Sequence, residues 1–180
     1  DIDNKLTSNV QIKKYKGGGF NQVDKRWNFE WHPILSSNAI QQLTLFTGEA
    51  YWPKKLRVST FNLNDEFKNE FIQKQKDIVR SAMFKLGIVD YFFCFNELDM
   101  LTVFKAVDLY NLILSEPASF PENRTTITLG KHMTMQRKGG DSGERTATMA
   151  QVKLKTGKAV KELIDLNLAQ QFDFKDFICG

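Results

Sequence analysis

A chain of 180 residues is long enough to bury a sizeable core as one domain, and 42% hydrophobic with 26% charged residues excludes a disordered polymer. The net charge of +4 is a modest excess that favours polyanions and says little else about partners. No run approaches about 18 apolar residues, which excludes a membrane-spanning helix, and two cysteines exclude a disulfide scaffold or a cysteine metal cluster.

The first 60 residues carry weak signals: a strand from Val10 to Tyr15, a loop at Gly17-Gly18-Gly19, and an aromatic-rich strand from Trp27 to Trp31. Residues 64–86 predict a helix, with Asn64 as its cap, Asp65 and Glu66 in its first turn and Gly87 as its stop. Its apolar stripe runs through Phe67, Phe71, Gln75, Ile78, Ala82 and Leu86, widened by Ile72, Val79 and Met83. Lys68, Lys74, Lys76, Arg80 and Lys85 occupy the other side, a solvated face or a further nucleic-acid contact.

Ile88 to Phe95 is expected to be a buried strand holding Cys94 as a small hydrophobe. Asn96-Glu97-Leu98-Asp99 resembles a helix start, and the segment to Leu114 is apolar nearly all round, which predicts a buried helix closed by Pro117 and Pro121. Thr125 to Met135 places Ile127, Leu129, Met133 and Met135 on one face, as either a half-buried strand or a tight hairpin around Gly130-Lys131. Met149 to Lys155 is a further short strand. Gly157 opens a helix with Val160, Leu163, Ile164 and Leu168 on one side, and Phe172 to Phe177 alternates as an edge strand. The fold expected is α/β or α+β, a small mixed sheet flanked by helices in one domain spanning residues 1–180. No linker or internal repeat divides it.

The unusual chemistry lies in Met135-Gln136-Arg137-Lys138-Gly139-Gly140-Asp141-Ser142-Gly143 and, ten positions beyond Asp141, in Gln151-Val152-Lys153. Gln151 and Lys153 share one face of a strand because side chains two apart point the same way. A carboxylate on Asp141, the amide oxygen of Gln151 and the backbone carbonyl of Val152 are hard oxygen donors of the kind Mg²⁺ takes. Lys153 can hold an attacking water and offset the charge that builds on a phosphoryl group. Glycines around the aspartate let a phosphate backbone come close. On the bland reading, Asp141 is a turn residue and Lys153 and Lys155 belong to an ordinary half-exposed strand.

Asp141, the ten-residue step and Gln151-Val152-Lys153 resemble the signature of the PD-(D/E)xK nucleases, the superfamily of the type II restriction endonucleases. The run from Gln136 to Asp141 is similar to segments of those enzymes, and the resemblance covers roughly residues 125–170. It implies a restriction-endonuclease-like core over residues 88–178, with residues 1–87 serving recognition or dimerisation. It further implies a Mg²⁺-dependent enzyme that cuts duplex DNA as a homodimer and leaves a 5′-phosphate, while the cytoplasmic location expected follows from the cysteine usage, which suits a reducing compartment. Asp141, Gln151 and Lys153 would be catalytic, Asp141, Gln151 and Val152 would hold the metal, and Gln136, Arg137, Lys138, Arg145 and Lys155 would contact DNA. The departure is Gln151, where this superfamily ordinarily has an acid.

A second register pairs Gln136-Arg137-Lys138, itself a QxK, with Asp90 or Asp108. Two other classes stay open beside the nuclease: a non-catalytic nucleic-acid-binding or nucleoprotein-type module, and a structural or partner-binding domain. His32 and His132 have no partner at metal spacing, and no phosphate-binding glycine loop or dinucleotide fingerprint is present.

Overall fold

The computed structural model describes residues 8–16, 20–28, 34–49, 62–84, 89–96, 98, 100–122, 126–137 and 149–173; for 20–28, 47–49, 137 and 149–150 it describes the backbone alone. In chain order the elements are β1 (Val10–Lys14), β2 (Phe20–Asn28), α1 (Ser37–Glu49), α2 (Asp65–Gln73), α3 (Gln75–Phe84), β3 (Tyr91–Phe95), β4 (Met100–Lys105), α4 (Ala106–Leu114), β5 (Thr126–Gly130), β6 (Met133–Arg137), β7 (Met149–Lys155), α5 (Thr156–Asp165) and β8 (Ala169–Asp173). The class is mixed α/β, but the strands form two sheets, ordered β1-β3-β4-β8 and β2-β7-β6-β5, where the sequence predicts one. The chain divides into two compact units, the first from residues 1–21, 86–112 and 155–180, the second from 22–85 and 113–154.

In the first unit β1 runs parallel to β3, while β3–β4 and β4–β8 are antiparallel. Phe92 and Phe104, directly opposite across β3 and β4, stack with ring centroids 5.6 Å apart. They join Cys94, Ala106, Leu109, Ala159, Val160 and Leu163 in the buried core. The helix expected to start at Asn96 begins only at Ala106, because residues 100–105 pair as β4. Asn96 caps a turn instead: its Oδ1 accepts from the backbone N–H of Leu98 (2.9 Å) and Met100 (3.0 Å), and its own N–H donates to the Met100 carbonyl. An apolar run without alternation suits a buried strand and a buried helix alike, and the β-branched Thr102-Val103 favours the strand. The last strand also starts earlier than expected, at Ala169. Leu168, assigned to the stripe of α5, lies beyond that helix and is exposed.

In the second unit Asn64 caps α2 as expected, its Oδ1 accepting from Phe67 N–H at 2.8 Å. The expected single helix is broken at Lys74, whose N–H donates to both Glu70 and Ile72 carbonyls, and α3 continues from Gln75. Phe67, Phe71, Gln75, Ile78, Val79, Ala82 and Met83 are buried, whereas Ile72 is exposed. Phe67, Phe71 and Phe120 form an aromatic cluster with centroids 5.4–5.9 Å apart. Helix α1 has no counterpart among the predicted elements. Ser36 caps it, accepting from Ala39 N–H at 3.2 Å while its backbone N–H and its hydroxyl donate to the Glu70 carboxylate of α2.

Residues 126–137 form the hairpin alternative, β5–β6, with Ile127, Leu129, Met133 and Met135 all buried. Its tip has to be glycine. Gly130 takes φ +141°, and a Cβ there would lie 2.3 Å from the Ile113 carbonyl oxygen, which accepts from Lys131 N–H. The Gln75 amide donates to the Leu129 and Glu116 carbonyls, both at 2.8 Å, and fixes the hairpin against the helical layer.

Candidate functional site

The site is built on the sheet of the second unit. Strand β7 lies between β2 and β6, so it is central, and the register sets Gln136 opposite Gln151, Thr134 opposite Lys153 and Met135 opposite Val152. On the next pair, Thr126 faces Gln136 and Thr128 faces Thr134. Alternation then separates the side chains of β5, β6 and β7 cleanly. One face carries Ile127, Leu129, Met133, Met135, Val152 and Leu154, every one buried. The other carries Thr126, Thr128, Thr134, Gln136, Gln151 and Lys153, all polar.

Gln151 is only 6% exposed although it lies on this polar face, and Lys153 and Gln136 are half-buried. A buried amide needs hydrogen-bond partners or a ligand, so the face is not simply a solvated back of the sheet at that point. Compared with known protein families, curated proteins and solved structures, the chain matches none. Function therefore rests on these residues and on what they can do.

Gln151 and Lys153 come together on one face of β7, and Gln136 joins them from β6. Val152 lies between them with its side chain in the core and its carbonyl in the strand. Lys155 ends β7 at the N-cap of α5, without a side-chain cap bond. Arg137 ends β6 opposite Ala150, where the backbone alone is described. Asp141, Lys138 and Arg145 lie outside the described residues.

The two competing registers meet here. Gln136-Arg137-Lys138 and Gln151-Val152-Lys153 belong to neighbouring antiparallel strands with their glutamines in register. The acids that the second register would have used belong to the first unit. Asp90 accepts from Asn9 N–H at 2.8 Å before β3, and Asp108 sits in the first turn of α4.

Among the described residues no three His, Cys, Asp or Glu side chains gather as a metal group. The donors on this face are neutral oxygens beside one lysine, whereas a hard cation such as Mg²⁺ is held through one or two carboxylates, and Asp141 lies outside the described residues. Thr126, Thr128 and Thr134 complete this face, as the alternation of threonine with apolar residues over 125–135 implies, but threonine carries no site signature that would single them out from sequence. No helix among the described residues is long and apolar enough to cross a membrane.

Proposed function

We propose that the chain is a Mg²⁺-dependent endonuclease of restriction type with a restriction-endonuclease-like core, hydrolysing duplex DNA as a homodimer. One observation carries this reading: a buried glutamine and a half-buried lysine two residues apart on a central strand, on a face otherwise lined by hydroxyls and a second amide. Asp141, the Gln151 amide oxygen and the Val152 carbonyl would hold the cation. When bound, Mg²⁺ supplies a Lewis acid that lowers the pKa of water and offsets phosphate charge. Lys153 orients the attacking water and stabilises the negative charge gathering on the phosphoryl oxygens. The water oxygen bonds to phosphorus, the bond to the 3′ oxygen breaks, and a proton passes through solvent to that leaving oxygen. A 5′-phosphate and a 3′-hydroxyl result. Gln136, Arg137, Lys138, Arg145 and Lys155 are assigned to DNA, chiefly its phosphates.

A second reading is favoured by the same face: neutral hydrogen-bonding groups with one lysine suit a nucleic-acid-binding module without catalysis. Supercoiled plasmid incubated with the protein, in Mg²⁺ and in chelator, separates the two on a gel. Nicking or linearisation that needs Mg²⁺ is expected. Salt-sensitive DNA binding with no cleavage under either condition would replace the nuclease by the binding module.

A further inference from the structure

The four-stranded sheet of the first unit has two unlike faces, set by the registers across β1, β3, β4 and β8. One carries Phe92, Cys94, Thr102 and Phe104, every one buried. The other carries Tyr91, Phe93 and Phe95 along β3, all only half-buried. Beside Phe93 on β1 stands Ile12, which is 66% exposed, so solvent reaches this face. Alternate residues of a strand lie about 7 Å apart, twice the roughly 3.4 Å per nucleotide of a stacked strand. Bases can therefore meet the three rings one by one only when splayed apart, as an unpaired strand allows and a duplex does not. Charge points the same way. Lys14 stands beside Phe95 and Lys105 beside Tyr91, both exposed, at opposite ends of the row of rings. Among the described residues of the four strands, no Asp or Glu shares this face. A second copy of the chain docked here would bring like charges together, whereas a polyanion is attracted.

We propose that this face binds single-stranded DNA, with bases stacked on Tyr91, Phe93 and Phe95 and phosphates held at Lys14 and Lys105. Every base has a flat π-face, so such stacking tolerates sequence, and a positive track beside it follows the backbone. Aromatic side chains on a four-stranded sheet are an established platform for splayed bases. The choice of DNA over RNA rests on polarity. Among the described residues of the face, the Tyr91 hydroxyl and the Gln170 amide are the only uncharged polar groups, which leaves little to read a 2′-hydroxyl. This site belongs to the first unit, apart from Gln151 and Lys153 of the second. It goes beyond the nuclease reading and does not rest on it.

The test measures binding of a fluorescent oligothymidylate of about 12 nucleotides, within the span one such domain covers. Chelator is present throughout, so the outcome is independent of cleavage. The single strand is expected to bind more tightly than the same sequence paired with oligodeoxyadenylate. Phe93→Leu keeps an apolar side chain and removes the ring, and should weaken the single strand about 10-fold. Phe93→Trp keeps a ring and should hold or tighten binding, which a merely structural role for Phe93 would not produce. Lys105→Gln, at an exposed position, should reduce the slope of log affinity against log salt by about 0.7. It carries the test alone should Phe93→Leu fail to fold. Full affinity in Phe93→Leu, an unchanged salt slope in Lys105→Gln, or tighter binding to the duplex overturns the proposal. Tighter binding to oligouridylate overturns the choice of DNA. A chain that binds no single strand, and whose dimer in sedimentation dissociates on Phe93→Leu, assigns the face to a second copy instead.

Discussion

The two sheets have the same number of strands and divide their polarity in opposite ways. In the first unit both faces are largely apolar: Phe92, Cys94 and Phe104 lie on one, and Phe93, Phe95, Leu101 and Val103 on the other. Much of its polarity lies on the edge strands, at Gln11 and Lys13 of β1 and Gln170 and Gln171 of β8. In the second unit polarity runs across β5, β6 and β7 on one whole face, central strand included. Antiparallel sheets commonly leave one face to water, and Gln151 at 6% exposure departs from that pattern. Polar groups that reach water from an edge strand need no special cause, although the Gln11 Oε1 of β1 is buried without a hydrogen-bond partner. A buried amide on a central strand does, and a bound ligand is the cause proposed here.

The sharpest way to break this comparison is to act on the polar face through its expected carboxylate. Asp141→Ala should cut cleavage by about 10²–10³-fold or more, the scale for losing one electrostatic element of a phosphoryl-transfer site. DNA affinity by gel shift should hold, because many cations share the phosphates. Normal cleavage in this variant would place the metal elsewhere.

Next in size is the contrast between the two faces of the same strands. Leu154→Ala, on the apolar face, should cost about 2–5 kcal/mol in denaturant unfolding. Thr134→Ala, opposite Lys153 on the polar face, should cost under about 1 kcal/mol. Equal losses would mean that both faces serve packing. A smaller effect, about 1–3 kcal/mol, is expected for Gly130→Ala, where the left-handed φ and the Ile113 carbonyl both oppose a Cβ. A neutral result by thermal melting would show that the hairpin tip is not held against Ile113 in solution.

The same contrast explains what the sequence disclosed. Where one face is apolar and the other polar, alternation writes itself into the chain, so 126–137 and 149–155 could be located, with Gln151 and Lys153 on a common face. In the first unit β4 is apolar on both faces, and Met100 to Lys105 carries no period that separates strand from helix. Asn96 adds to the ambiguity, because one side chain serves equally to cap a helix or to close a turn. Helix α1 was legible in principle: Ser36 is a good cap, and Ala39, Leu43 and Phe46 fall at helical spacing and are buried. The pairing of Gln136 with Gln151 depends on strand register, which the chain between residues 138 and 148 does not spell out.

An effect confined to alkaline pH, and absent where the other variants are compared, tests the apolar sheet through the buried thiol of Cys94. This residue lies on β3 between Lys13 of β1 and Thr102 of β4. Burial pushes its pKa up to about 12 from an ordinary 9.0, against a weaker lowering by Lys13. A raised pKa means that the folded protein keeps a proton that the unfolded chain gives up. The associated stability is therefore complete below about pH 9 and lost progressively as pH rises toward 12. Lysines and tyrosines titrate over the same range, so the natural chain must be compared with Cys94→Ala. Between those limits stability of the natural chain should fall more steeply, by up to about 1.4 kcal/mol per pH unit. The native thiol should also resist alkylation at about pH 8, since the thiolate is the nucleophile. Parallel stability curves for the two proteins, together with rapid alkylation, would show that water reaches Cys94. The Cys94 face of the first sheet would then be open, and the distinction between the two sheets would lose its physical basis.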